Sequence, residues 1–180
     1  MPSSSDNVEP LAGRVARSAR AVKAEDIVAE IENQLGDQSI AAIYQKQILS
    51  QRTRQYELKA PVKKTTVEVL HTLLGIELKI GNRRLLCPDL ATARYLAIFA
   101  GIGCELIAVP YDITQISRLA DELESSWHRM LLLVDHFAVG RSDRLRAVIK
   151  RKLIETTRAA ILKLGAGAKF PQFNQKTRQR

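Results

Sequence analysis

Cysteine is nearly absent from this 180-residue chain, which holds only Cys87 and Cys104. Both lie in apolar stretches and no Cys-x-x-Cys spacing occurs, which argues against a disulfide scaffold and against a cysteine zinc site. We expect two buried free thiols in a reducing compartment. The histidines give no metal site either, because His128 and His136 are eight residues apart and His71 is distant from both, whereas zinc chelation on one helix uses i, i+4 pairs.

Long apolar runs are also absent, since none approaches the roughly 18–20 residues that cross a bilayer. We therefore predict no membrane span. The first 23 residues contain Ser3–Ser5 and arginines at threefold spacing, as an organelle presequence does, but Asp6 and Glu9 count against one. We expect a basic N-terminal tail on a cytoplasmic protein.

Catalytic signatures are missing: the chain has no phosphate-binding loop, no dinucleotide fingerprint and no Gly-x-Ser-x-Gly elbow. Asp89 follows a predicted strand, as an acid of a metal-dependent nuclease does. The required acid-x-lysine triplet is out of order, because Glu77-Leu78-Lys79 precedes Asp89 and no lysine stands two residues after Glu105. We predict a protein that is not an enzyme and uses no cofactor.

Positive charge is abundant, and it is concentrated at one end. Residues 141–180 contain twelve Lys or Arg against only Asp143 and Glu155, a net charge of +10. The first 140 residues contain sixteen basic and seventeen acidic side chains, which leaves a net charge of −1 there. Because a segregated positive segment repels itself, it favours a polyanionic partner.

The 46% hydrophobic content supports a packed core. Apolar residues at helical spacing predict helices at 24–35, 38–58 and 90–100, one that follows Asp112, and one that starts at Ser142 or Asp143 and ends at Gly165. Alternation or a short apolar run predicts strands at 76–80, 83–87 and 104–109. Residues 65–74 fit a short helix, although their β-branched side chains also allow a strand.

These elements predict an α+β fold around a small three-stranded mixed sheet. Gly81-Asn82 is a two-residue hairpin turn, and Asp89 caps the following helix. A strand, a helix and a further strand make a βαβ crossover, so the third strand should lie parallel to the second.

We divide the chain by composition into four parts. They are a flexible basic tail at 1–23, a helical arm at 24–60, an α/β globular domain at 61–165 that ends in a basic helix, and a basic disordered tail at 166–180. The arm also offers a surface for a homodimer.

The last helix carries the candidate site. Arg144, Arg151 and Arg158 are seven residues apart, almost two turns, so they share one side opposite the apolar residues. The tail adds Phe170 and Phe173 among its basic residues, a combination that stacks unpaired bases. The residues predicted to bind nucleic acid are Arg141, Arg144, Lys150, Arg151, Lys152, Arg158, Lys63, Lys64, Arg83 and Arg84.

Two partner classes stay open. The first is nucleic acid, with RNA or single-stranded DNA ahead of duplex, bound by an accessory or regulatory protein through backbone charge. The second is an acidic protein, gripped by an adaptor or assembly factor through the helical arm and the basic helix. The Gln/Arg-rich stretch 45–56 fits either a nucleic-acid surface or a helix-pair dimer interface.

Overall fold

The computed structural model of the chain describes residues 23–58 and 66–167. Its long helices begin at the caps that the sequence predicts: Asp89 accepts a hydrogen bond from the Thr92 amide at 2.7 Å, and Asp112 and Ser142 cap the two later helices. The helices are α1 (Ala24–Leu35), α2 (Ile40–Ile43, continued by a π-helical turn, Tyr44–Ile48), α3 (Leu90–Ile102), α4 (Ile113–Ala138) and α5 (Asp143–Leu164).

The five described strands form two antiparallel sheets, so the α+β class is confirmed. The strands are β1 (Thr53–Glu57), β2 (Val67–Thr72), β3 (Gly75–Ile80), β4 (Arg83–Cys87) and β5 (Leu106–Pro110). Strands β2, β3 and β4 make one sheet in that order, and β1 pairs with β5 in the other.

The predicted hairpin is confirmed as β3 and β4. Gly81 has a φ of 58°, the positive value that the turn requires of its first central residue. Within the predicted segment 65–74, residues Val67–Thr72 form β2, which is the strand alternative rather than the helix. Val67 and Val69 then face Ile80 and Leu78 across the sheet, where branched side chains pack well.

The helix predicted over 38–58 is wrong in its second half. Helical structure ends at Ile48, and Thr53–Glu57 is a strand. Buried β5 needs hydrogen-bonding partners for its backbone, and β1 supplies them along one edge. Pairing with β5 therefore determines the conformation of this segment, because its own sequence pattern is only weakly amphipathic.

The predicted crossover is also wrong, because β5 lies antiparallel to β1 and does not join the hairpin sheet. Two tyrosine hydroxyls form hydrogen bonds with the main-chain amide and carbonyl of Ala108, in the middle of β5. Tyr44 accepts a hydrogen bond from the Ala108 amide at 2.9 Å, and Tyr95 donates one to the Ala108 carbonyl at 2.6 Å. Side chains thus satisfy main-chain hydrogen-bonding groups of β5, a role that the sequence-based prediction gave to a neighbouring parallel strand.

The described residues form two apolar clusters, joined where Trp127 and Ile154 touch both. One contains the buried face of β3, residues Ile107–Val109 of β5, the buried residues of α3 and the first half of α4. The other contains the buried faces of α1, the second half of α4 and α5. The segment predicted as a helical arm contributes Ile31 to the second cluster, and Tyr44 and Ile48 to the first. The predicted domain boundaries stay a prediction.

Candidate nucleic-acid interface

Helix α5 is held by its apolar side and exposes much of the rest. Ile149, Leu153 and Ile161 are buried against the clusters described above. The Ser142 hydroxyl accepts a hydrogen bond from the Leu145 amide at 3.3 Å, which fixes where the helix begins. The exposed side of α5 is therefore determined by its apolar residues.

The arginines seven residues apart do not end in equivalent surroundings. Arg144 and Arg151 are exposed, whereas Arg158 is half-buried. Seven residues fall short of two full turns by about 20°, so each successive arginine is displaced in the same direction around the helix. Arg158 lies close to the thiol of Cys104: burial raises the pKa of that thiol to about 12, and the charge of Arg158 opposes the rise.

Acidic side chains of the same molecule neutralise part of the basic helix. Lys152 forms an ion pair with Glu25 on α1. On the other flank, Arg146 lies 2.5 Å from the Asp135 carboxylate on α4. Arg151 and Glu155 are only loosely paired, at 3.9 Å on an exposed turn, where such a pair contributes little.

The remaining predicted cations of this region have no intramolecular partner that the structure describes. Arg141, Arg144 and Lys150 are exposed and form no ion pair with a described carboxylate. Arg158 likewise has no carboxylate within reach among residues 23–58 and 66–167. The positive field of α5 is therefore carried by a subset of its basic residues.

An acidic helix lies beside the basic one. Helix α1 contains four acids and no basic residue, and it packs against α5. Its acids occur from the first turn onward, beginning with Glu25 and Asp26. A polyanion is therefore repelled from the α1 side and must approach α5 from elsewhere.

The predicted hairpin residues belong to a different layer of the fold. Strand β4 packs on β3 and α3, whereas α5 packs on α1, α2, α3 and α4. The Arg84 guanidinium donates a hydrogen bond to the Glu77 carboxylate at 3.3 Å. Arg83 also takes part in an interaction, so neither hairpin arginine is free. Lys63 and Lys64 lie outside the described residues.

Sequence reasoning misplaced one group of basic and aromatic residues. Arg52 and Arg54 were assigned to a helix, but Arg54 lies within β1 and Arg52 directly precedes it. The guanidinium of Arg52 stands over the ring of Tyr111, 5.1 Å from its centroid. Thr53 and Tyr56, residue types that favour strands, were the available signal, and the helical pattern before them outweighed it.

The described residues contain no group of three His, Cys, Asp or Glu side chains arranged to hold a metal ion. Within the same residues, no helix combines the length and the apolarity needed to cross a bilayer. A scan against protein-family models, a search of curated proteins and a search of solved structures each found no match to this chain.

Proposed function

We propose that this protein is a non-enzymatic nucleic-acid-binding protein, with RNA or single-stranded DNA preferred over duplex. Arg144 and Lys150 on the exposed side of α5, with Arg141 just before the helix begins, form the core of the proposed interface. Arg151 also contributes, because its pairing with Glu155 is loose. Arg158, which is half-buried, is the last of the three arginines seven residues apart.

One observation carries the proposal. The molecule neutralises Lys152 and Arg146 with its own carboxylates, while Arg144 and Lys150 stay exposed without a described partner. Exposed unpaired cations bind phosphate with little loss of existing interactions, because no internal ion pair has to break. Arg144 and Arg151 are separated by about 10 Å along the helix axis, a distance over which flexible side chains contact one nucleic-acid strand.

The alternative is an acidic protein partner for the same cations. Phosphate binding by Lys and Arg releases condensed counterions and makes affinity fall steeply with salt. A protein carboxylate surface releases fewer, so its salt dependence is weaker.

Crosslinking and purification from the native cell, with and without nuclease, separates these classes. We expect nucleic acid to co-purify at low salt and to be removed by high salt or nuclease. A stoichiometric protein complex that survives nuclease would contradict the proposal and favour the adaptor.

A further inference from the structure

Strand β2 lies at an edge of the three-stranded sheet, and no described strand pairs with its outer edge. The Gly81 amide donates a hydrogen bond to the Thr66 carbonyl at 2.9 Å, which fixes the bonded positions between β2 and β3. Bonded and non-bonded pairs alternate along an antiparallel ladder, so the amides and carbonyls of Val67, Val69 and His71 point away from β3. Residues 23–58 and 66–167 give these outward groups no hydrogen-bond partner.

The outer edge of β2 lacks the features that usually protect such an edge. Natural edge strands carry charge, proline or a bulge, because an open edge recruits further strands. Strand β2 contains no proline and pairs with β3 along its whole length without a bulge. Its one acidic side chain, Glu68, forms an ion pair with Lys79 at 3.0 Å. The opposite edge strand, β4, begins with Arg83 and Arg84, so β2 is the edge that favours pairing with another strand.

The turn that follows β2 exposes apolar side chains. Leu73 is fully exposed, and 80% of Leu74 is accessible. The Thr72 hydroxyl accepts a hydrogen bond from the Leu74 amide and donates one to the Gly75 carbonyl, both at 3.2 Å, which holds the turn in place. Adjacent exposed leucines on a fixed turn, next to an open strand edge, favour an interaction surface.

We propose that two copies of this chain associate through β2, as an antiparallel strand pair about a two-fold axis. The pair joins two three-stranded sheets into one continuous sheet. This interface lies outside the segment 24–60 and does not use α5. A two-fold pair closes on itself, because it uses both β2 edges and leaves the arginine-bearing β4 strands at the ends of the sheet.

Side-chain chemistry selects the register of the pair. Centring it on Glu68 sets two carboxylates directly opposite each other, and centring it on Val69 sets Glu68 against the apolar Leu70 of the other copy. A register centred on Leu70 instead pairs two leucines at a non-hydrogen-bonded position, where side chains are closest. Val69 and His71 then exchange main-chain hydrogen bonds between copies. The Leu73–Leu74 turn lies alongside the start of the other copy's β2, so the exposed leucines become covered.

The matched variants for this interface are Leu70→Lys and Leu86→Lys. Leu70 and Leu86 lie opposite Glu77 from its two sides, so each new lysine meets the same carboxylate within its own chain. Only Leu70→Lys also sets two lysines against each other across the proposed axis, where like charges are destabilising.

Sedimentation equilibrium of the full chain measures association, after nuclease treatment and in high salt, which prevents nucleic acid from bridging two molecules. We expect the wild type and Leu86→Lys to form a concentration-dependent dimer, and Leu70→Lys to dimerise at least about tenfold more weakly. Equal dimerisation by the two variants, or a wild type that stays monomeric at about 0.1 mM, would overturn the proposal.

Cross-linking tests the register without relying on the lysine variants. Leu70→Cys places two thiols across the axis at a Cα separation that a disulfide spans, roughly 4.4–6.8 Å. The native Cys87 and Cys104 are buried. We expect copper–phenanthroline oxidation to convert Leu70→Cys, but not Leu86→Cys, into a covalent dimer. Equal cross-linking at both positions would indicate random collision and would contradict the interface.

The dimer and the function proposed for α5 can fail independently. Arg144→Gln/Lys150→Gln should retain the dimer, whereas Leu70→Lys should still bind a single-stranded oligothymidine. A dimer that forms only before nuclease treatment would show that nucleic acid bridges the two molecules, and would overturn pairing through β2.

Discussion

The hydroxyl of Tyr44 donates a hydrogen bond to the main-chain oxygen of Gly165, 121 residues later in the chain, at 2.8 Å. The same hydroxyl accepts the amide of Ala108 at 2.9 Å. One fully buried phenol therefore connects the early helical segment, the middle of β5 and the end of α5. The position of the basic helix depends on this connection as well as on its apolar face.

Replacing Tyr44 with Phe removes both hydrogen bonds and leaves the Ala108 amide without its partner. We expect the free energy of unfolding to fall by about 2–4 kcal/mol, because each lost bond to a buried group costs roughly 1–3 kcal/mol and the effects partly overlap. Equilibrium urea unfolding measures the change.

Tyr95→Phe is the matched comparison, since the Tyr95 hydroxyl makes one described hydrogen bond, to the Ala108 carbonyl. Its loss of stability should be smaller than that of Tyr44→Phe. Equal stabilities of wild type and Tyr44→Phe would show that the hydroxyl does not stabilise the fold.

The thiol of Cys104 makes stability depend on pH in the alkaline range. Burial raises its pKa from 9.0 to about 12, so above pH 9 the unfolded chain loses this proton while the folded protein keeps it. The contribution is complete below about pH 9 and declines as pH approaches 12. Tyr44, whose pKa burial raises from 10.0 to about 12, adds a second decline that starts near pH 10.

Urea unfolding at a series of pH values tests this with Cys104→Ala. The slope between pH 9 and pH 10 should be shallower in the variant, by at most about 1.4 kcal/mol per pH unit. Cys87, whose pKa is also raised by burial, titrates in both proteins and leaves a residual slope. An unchanged slope in Cys104→Ala would mean that this thiol is not protected in the folded state.

Gly167 lies closely against the two-stranded sheet that β1 and β5 form. Its φ is +78°, and an added Cβ would stand 2.5 Å from the Thr53 Oγ1. Gly140 has a similar φ of +71° but open space around it, so Gly140→Ala isolates the backbone effect. We expect Gly140→Ala to cost about 1 kcal/mol and Gly167→Ala about 1–3 kcal/mol more, measured by urea unfolding.

Thr53→Ala should shrink the difference between the two alanine variants, because it removes the oxygen that the new methyl group meets. Equal costs for Gly167→Ala and Gly140→Ala would contradict the close contact.

Local signals in the sequence were enough for the caps, the hairpin and most helix boundaries. Asp89 is an example, since its carboxylate needs only the amide of Thr92, three residues on, to start α3. The pairing of β5 required information from elsewhere in the chain. Nothing near Ala108 indicates that Tyr44 and Tyr95 supply its hydrogen bonds, so a nearest-neighbour crossover was the wrong prediction.

The same limit applies to the candidate site. Helical spacing placed the basic residues on α5 correctly, but spacing alone does not reveal which of them meet a carboxylate. Lys152 and Glu25 are 127 residues apart, and their pairing follows from the packing of α1 on α5. Whether the unpaired residues bind nucleic acid stays a prediction.

The salt dependence of single-stranded oligonucleotide binding tests the central claim most directly, by comparing Arg144→Gln/Lys150→Gln with Arg146→Gln/Lys152→Gln. Both variants remove two positive charges, but only the first removes cations that lack described intramolecular partners. We predict that the first lowers the slope of log K against log salt by roughly 1.4, the value for two contacts to a single strand, and the second by much less. Equal reductions, or no binding by the wild type at low salt, would contradict the account.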